Sequence, residues 1–348
     1  MDKNPIVLQN KPVIGISACC MSCPVRYNGH GFDLLSHVGR EKGDFTWVPV
    51  CPECLAGLGI MRDPIHIAGE NGAAVWRGEA RVRSRGGRDV TEMLLAGARS
   101  AKECLDRAGV RAFIYMDGSP SCGVYRTTLK KQSRGHPPGV FGAMLDQAGY
   151  FLIPALDLQS PLKWWDWRRR LLAYLWLSEV PVTTRNELYD VWYRLKFICQ
   201  EIDDAWARDK GRELAQIGRK LDPDYVAAFR REVSDLLRRP STTKRLTNSL
   251  LKNYAYYRKA SGQSLDSILP VDARRNVTSI ARELNLLERA SAEAGRFIGS
   301  APVLYAGRLP RNKQVDRLRH RLSDEQTPEK IEQEAADDLD GSEKQDVK

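Results

Sequence analysis

The chain has 348 residues, 42% of them hydrophobic and 28% charged, with a formal net charge of +10 and eight cysteines. That length accommodates two ordinary domains, and the balance is that of a folding chain rather than a disordered one. No run of about 18 apolar residues occurs, which argues against a transmembrane helix, and the opening MDKNPIVLQNKP lacks the basic-then-apolar order of a signal peptide. A cytoplasmic protein with no membrane contact is therefore expected. In that reducing setting, eight sparse and unevenly spaced cysteines point to metal binding or catalysis rather than to a disulfide framework.

In chain order, PVIGIS (12–17), FTWVPV (45–50), AFIYMD (112–117) and YFLIPAL (150–156) are short apolar runs that predict buried strands. DVTEMLLAGARSAKECLDRAGV predicts a helix between the second and third. Asp89 and Glu92 form a capping pair, Leu94, Leu95, Ala98, Ala101 and Leu105 share a face, and Gly109 marks the stop. VFGAMLDQAGY repeats the helix–glycine–strand order. The alternation predicts an α/β domain with a mainly parallel sheet over residues 1–160. A Trp-rich junction follows at 161–170, and four charged, helix-periodic stretches then predict an all-α domain over 161–320. Residues 161–320 hold 31 Lys/Arg against 19 Asp/Glu, whereas 321–348 hold 4 against 10 and read as an acidic, disordered tail.

Cys19, Cys51 and Cys122 each follow one of the first three strands. In a parallel sheet such positions share one edge, where ligand sites form, and helix N-termini there lower thiol pKa. Three converging thiolates suit a zinc ion or an iron–sulfur cluster with one metal position left open. The plain alternative, small thiols packed in a core, fits Cys104 and Cys199 better. Two CxxC pairs, Cys20/Cys23 and Cys51/Cys54, offer a rival four-cysteine zinc site. Glu53 and Ser119 sit beside the thiols, where a carboxylate can move a proton and a hydroxyl can orient a substrate.

The motif set SACCMSCPVRYNG, VCPECLAGLGIMRDP, NGAAVWRGEARV, GGRDVTEMLLAGA and DGSPSCG resembles the thiouracil desulfidase family over roughly residues 12–156. The resemblance implies a [4Fe–4S] cluster held by Cys19, Cys51 and Cys122, with Glu53 and Ser119 as catalytic residues. It implies sulfur removal from a thiolated pyrimidine, either free or as thiouridine in tRNA. Arg26, Tyr27 and Ser121 are candidates for substrate contact. Cys20, Cys23 and Cys54 lie outside the family pattern, and one of them would close the open iron if it were a fourth ligand.

The helical half carries its own signal. Within 244–259, Lys244, Arg245, Lys252, Arg258 and Lys259 accompany Tyr254, Tyr256 and Tyr257, a combination suited to phosphates and unpaired bases. KWWDWRRR (163–170) has the same composition. An ordinary amphipathic helix with packed tyrosines is the alternative. Three function classes stand: an iron–sulfur desulfidase, a zinc-containing RNA-binding module, and an iron–sulfur electron carrier or sensor.

Overall fold

A computed structural model describes residues 5–124, 138–218 and 220–308, which belong to one unit ending at Arg308. The acidic stretch 321–348 lies outside the described residues. Strands β1 (Ile6–Leu8), β2 (Val13–Ser17) and β3 (Thr46–Val50) open the chain, and the short helix α1 (Pro52–Leu55) follows β3 directly. Next come β4 (Ile65–Ala68), helix α2 (Gly72–Trp76) and β5 (Arg81–Ser84). Helix α3 (Thr91–Arg107), β6 (Ala112–Tyr115), α4 (Val140–Gln147) and β7 (Phe151–Pro154) complete the first half. The central sheet has the order β3-β2-β6-β7 with every pair parallel, as the alternation of elements predicts. An antiparallel β4–β5 hairpin and a parallel β1 pairing complete the strands of this half; neither was expected.

Both faces of the sheet are buried, and the period-2 rule sorts its residues cleanly. Ile14, Ile16, Ala112, Ile114, Phe151 and Ile153 join one apolar cluster. Phe113, Tyr115 and Leu152 join another, with the apolar face of α3 and most of α4. The predicted capping of α3 is altered: Asp89 accepts from Thr91 N (2.9 Å) and Thr91 Oγ1 (2.6 Å), and Val90 occupies the cap position. Gly109, at φ +68°, ends the helix as predicted.

The second half is helical: α5 (Pro161–Glu179), α6 (Arg185–Ile202), α7 (Asp204–Ala215), α8 (Pro223–Leu237), α9 (Thr243–Ser261) and α10 (Val277–Glu293). Strand β8 (Val303–Tyr305) then returns to pair with β1. The first of the four helix-periodic stretches, residues 188–221, folds as two helices, α6 and α7. Asp203 leaves helical geometry (φ −149°) and its carboxylate caps α7 at Trp206 N, 3.1 Å away. Helix α5 lies on the sheet: Trp164, Trp167, Leu171 and Tyr174 share a cluster with Ile14, Ile114 and Phe151. Leu162 and Trp165, on its other side, pack with α9 and α10. Helix α5 is thus covered on both sides, and its charged residues Asp166, Arg168, Arg169 and Arg170 are buried with its apolar ones.

KWWDWRRR therefore does not present cations to phosphates. Arg168, Arg169 and Arg170 are buried, and each has carboxylate partners. Arg168 bridges Glu41 and Glu288, Arg170 binds Asp166 at 2.9 Å, and Arg169 binds both Asp166 at 2.7 Å and Glu201. Burial alone would raise the Asp166 carboxyl, but Arg170 and Arg169 hold it down at about 2. No helix among the described residues is long and apolar enough to cross a membrane.

Candidate active site at the carboxyl edge of the sheet

Three strand ends deliver the site. Cys19 sits in a single 3-10 turn directly after β2, Cys51 is the residue between β3 and α1, and Cys122 lies in the loop after β6. Because β2, β3 and β6 are parallel neighbours, these positions share one edge. Two glycines hold the supporting loops at backbone contact. A Cβ at Gly97 of α3 would collide with Pro52 O and Ala56 N, so α1 can rest directly on that helix. A Cβ at Gly142 of α4 would strike Gly123 O, so the loop carrying Ser119–Cys122 can seat on α4.

The result is a cavity of about 270 Å³ whose walls include Cys19, Cys51, Cys122, Glu53, Ser119 and Ser121. Arg26 and Tyr27 also line it, so every predicted site residue meets there. Cys20, Cys23 and Cys54 do not line it. Cys20 is wholly buried, Cys23 leans on Met21 O, and Cys54 on Val25 O at 3.7 Å. The paired-CxxC arrangement therefore does not converge on the cavity, whereas the three strand-end thiols do.

Glu53 is held from both sides. Ser121 Oγ donates to its Oε1 at 2.6 Å, while Arg62 donates to its Oε2 through Nε at 3.0 Å and through a terminal nitrogen. Arg62 in turn is fixed by Val25 O at 3.0 Å and Gly59 O at 2.6 Å. Burial alone would lower the Arg62 pKa, but Glu53 more than offsets it and the net shift is upward. Ser121 spends its only proton on Glu53, so in the 2.9 Å contact between the two hydroxyls Ser119 is the donor. Ser119 Oγ also accepts from Cys122 N (3.1 Å) and Ser121 N (3.3 Å). The chain Ser119–Ser121–Glu53–Arg62 is thus a continuous network in which the nearer serine to the carboxylate is Ser121. Sequence reasoning missed Arg62: it stands inside the quoted CPECLAGLGIMRDP motif, but a lone loop arginine carries no spacing signal.

The thiols differ from the expectation of uniformly lowered pKa. Cys19 is lowered, first by the hydrogen bond from Cys20 and further by Arg26. Burial pushes Cys51 up to about 12 and Cys122 well up. Desolvation outweighs the lowering hydrogen bonds from the Cys54 backbone to Cys51 and from Ser17 to Cys122. Arg26 lies over Phe32 at 4.5 Å and over Tyr27 at 5.4 Å, while Tyr27 keeps 41% of its surface exposed at the rim.

The donor set limits which inorganic group the site can hold. Two ligands of one tetrahedral zinc lie about 3.8 Å apart, given Zn–S bonds of about 2.3 Å. Among the described residues, no three His, Cys, Asp or Glu side chains gather tightly enough to hold a single ion. Cys19, Cys51 and Cys122 line one cavity with no fourth cysteine in its described wall, a donor set of three thiols.

Comparison with known proteins converges on the same half of the chain. The profile of the family described as 2-thiouracil desulfurase matches residues 14–155. The uncharacterized protein YbbK of Bacillus subtilis (strain 168) is 34% identical over 159 residues, spanning 43% of this chain and 100% of that protein. A solved structure of a [4Fe–4S]-dependent thiouracil desulfidase, TudS (DUF523Vcz), is 29% identical, covering 41% of this chain and 90% of its own, with a TM-score of 0.34.

Proposed function

The chain belongs to the 2-thiouracil desulfurase family through residues 14–155, and from that premise we propose that it replaces sulfur by oxygen in a thiolated pyrimidine, releasing sulfide. The observation that carries this reading is the meeting of Cys19, Cys51 and Cys122 with Glu53 on one cavity wall. Those three thiols would hold a [4Fe–4S] cluster, which when bound supplies an electron-poor iron that attracts the thiocarbonyl sulfur.

The protein groups account for the proton movements. Arg62 and Ser121 fix the plane of the Glu53 carboxylate, so its proton-accepting oxygen stays where water can reach it. Glu53 takes one proton as the water oxygen bonds to the thiocarbonyl carbon. It returns that proton to sulfur as the C–S bond breaks, and the second proton passes from the new hydroxyl through Glu53 to the departing hydrosulfide as C=O forms. Water and thiocarbonyl thus yield carbonyl and hydrogen sulfide. Ser119, partly exposed in the wall, can turn its hydroxyl from Ser121 to an oxygen or nitrogen of the ring. Arg26 and Tyr27 flank the entrance and offer a cation and a ring face to the base. The cavity volume suits a single base, and the exposed cations of α9 suit the same base presented in tRNA.

The test is sulfide release from 2-thiouracil, and from thiolated tRNA, by protein purified without oxygen. Release that disappears in Glu53→Gln, with iron retained, supports the desulfidase. Iron-loaded protein that releases no sulfide from either substrate points instead to the electron carrier or sensor.

A further inference from the structure

Helices α6 and α9 face each other yet do not close. Between them and the segment 296–300 lies a cavity of about 700 Å³, larger than the site at the sheet edge and built only from the helical half. Buried interfaces between helices are normally packed without voids, so an opening of this size with a distinctive lining calls for an occupant. Its volume lies within the usual span of small-molecule sites.

The lining combines rings, cations and amides. Tyr193 and Phe197 come from one face of α6, Tyr256 from α9, and Phe297 stands edge-on to Tyr193 at 6.3 Å. Phe197 and Tyr256 are 45% and 54% exposed, a high value for rings in a groove. Gly299 lets Phe197 lie there: a Cβ at that position would meet the Phe197 side chain at 2.9 Å. Lys196 sits over the Tyr193 and Phe197 rings at 4.7 and 4.8 Å.

The acids of this cavity are already committed. Glu201 receives Arg169, Ser241 and Ser249, and Asp204 pairs with Arg208 at 3.0 Å. Asn253 is also satisfied, through Gly299 N, Ser249 O and Ser300. By contrast, Lys252 and Arg296 have no ion-pair partner among the described residues, and the side-chain amides of Gln200 and Asn248 have no hydrogen-bond partner there. What remains uncommitted is the exposed ring of Tyr256, the cations Lys252 and Arg296, and two amides, with the Phe197 ring already carrying Lys196.

We propose that this cavity binds a nucleotide, with the base against the exposed ring of Tyr256, the edge of Phe197 beside it, and the phosphate on Lys252 and Arg296. Stacking is indifferent to base identity, and the amides supply edge contacts. The same chemistry arises from a free nucleotide or from an unpaired residue of RNA. In either case the site is separate from the cysteine-lined cavity and does not depend on the desulfidase reading.

The experiment is calorimetric titration of the full chain with uridine monophosphate, inorganic phosphate and a short oligouridylate. Tyr256→Ala and Lys252→Ala serve as variants, since both side chains are exposed and their loss leaves the core intact. Uridine monophosphate is expected to bind more tightly than phosphate, with roughly tenfold or greater loss in Tyr256→Ala. Equal binding of nucleotide and oligomer identifies a free nucleotide; much tighter and salt-sensitive oligomer binding identifies RNA. Binding of neither, phosphate binding as tight as the nucleotide, or full affinity in both variants overturns the proposal.

Discussion

Glu53 has both carboxylate oxygens engaged, one by Ser121 and one by Arg62, and this sets what each substitution does. In Glu53→Gln an amide keeps the shape but cannot carry the proton, and sulfide release from 2-thiouracil should fall by about 10²–10⁴-fold with iron content unchanged. A fall of less than about tenfold would remove Glu53 from the proton path. Arg62→Lys replaces a planar fork by a point charge; the expected outcome is a lower kcat with unchanged iron, checked by steady-state kinetics beside iron analysis. Ser121→Ala should slow turnover at least as much as Ser119→Ala, because Ser121 touches the carboxylate directly. The three thiols were legible in the sequence because strand ends can be read from apolar runs. Arg62 was not, because its role exists only once the loop after α1 folds back onto Glu53. The order of the two serines was likewise a matter of side-chain direction, which sequence does not carry.

Helix α5 is the element whose sequence misleads most. Three successive arginines beside three tryptophans resemble a nucleic-acid surface, yet all three arginines are buried on carboxylates. Glu41, Glu201 and Glu288 come from distant parts of the chain, so the pairing is invisible to a local reading. Similarly, in α9 Tyr257 packs in the core and the Tyr254 hydroxyl is tied to Leu265, which leaves Tyr256 as the exposed ring. Asp166 is the hub of the α5 pairs. Asp166→Asn leaves Arg169 and Arg170 under-compensated in the interior, and an expected loss of about 3–5 kcal/mol is readable by urea unfolding. Because the folded carboxyl is held at about 2 against an ordinary 3.8, its contribution is present above about pH 4 and is lost as pH falls toward 2. Circular dichroism across that window should show acid unfolding whose pH dependence is shallower in Asp166→Asn. Identical profiles for the two proteins would contradict the assignment.

At the scale of the whole molecule, the sequence separates a sheet half from a helical half correctly in content. It does not reveal that α5 covers one face of the sheet, nor that β8 returns to β1. Short three-residue strands and long-range pairing leave no periodic trace. YbbK is matched over its full length by part of this chain, but here Ile14, Ile114, Phe151 and Ile153 face Trp164, Trp167 and Leu171. A chain ending at residue 160 would expose that apolar face, and it should self-associate and bind an apolar dye. A monodisperse fragment that unfolds as cooperatively as the whole chain would contradict this account.

The most direct test of the central claim is iron, sulfide and zinc analysis after anaerobic purification, on the full chain and on single cysteine variants. About four irons per chain are expected, lost in Cys19→Ala, Cys51→Ala and Cys122→Ala but retained in Cys23→Ala and Cys54→Ala. One zinc without iron, or loss of the metal in Cys23→Ala and Cys54→Ala while Cys19→Ala and Cys122→Ala retain it, would contradict the account and favour the paired-cysteine zinc site.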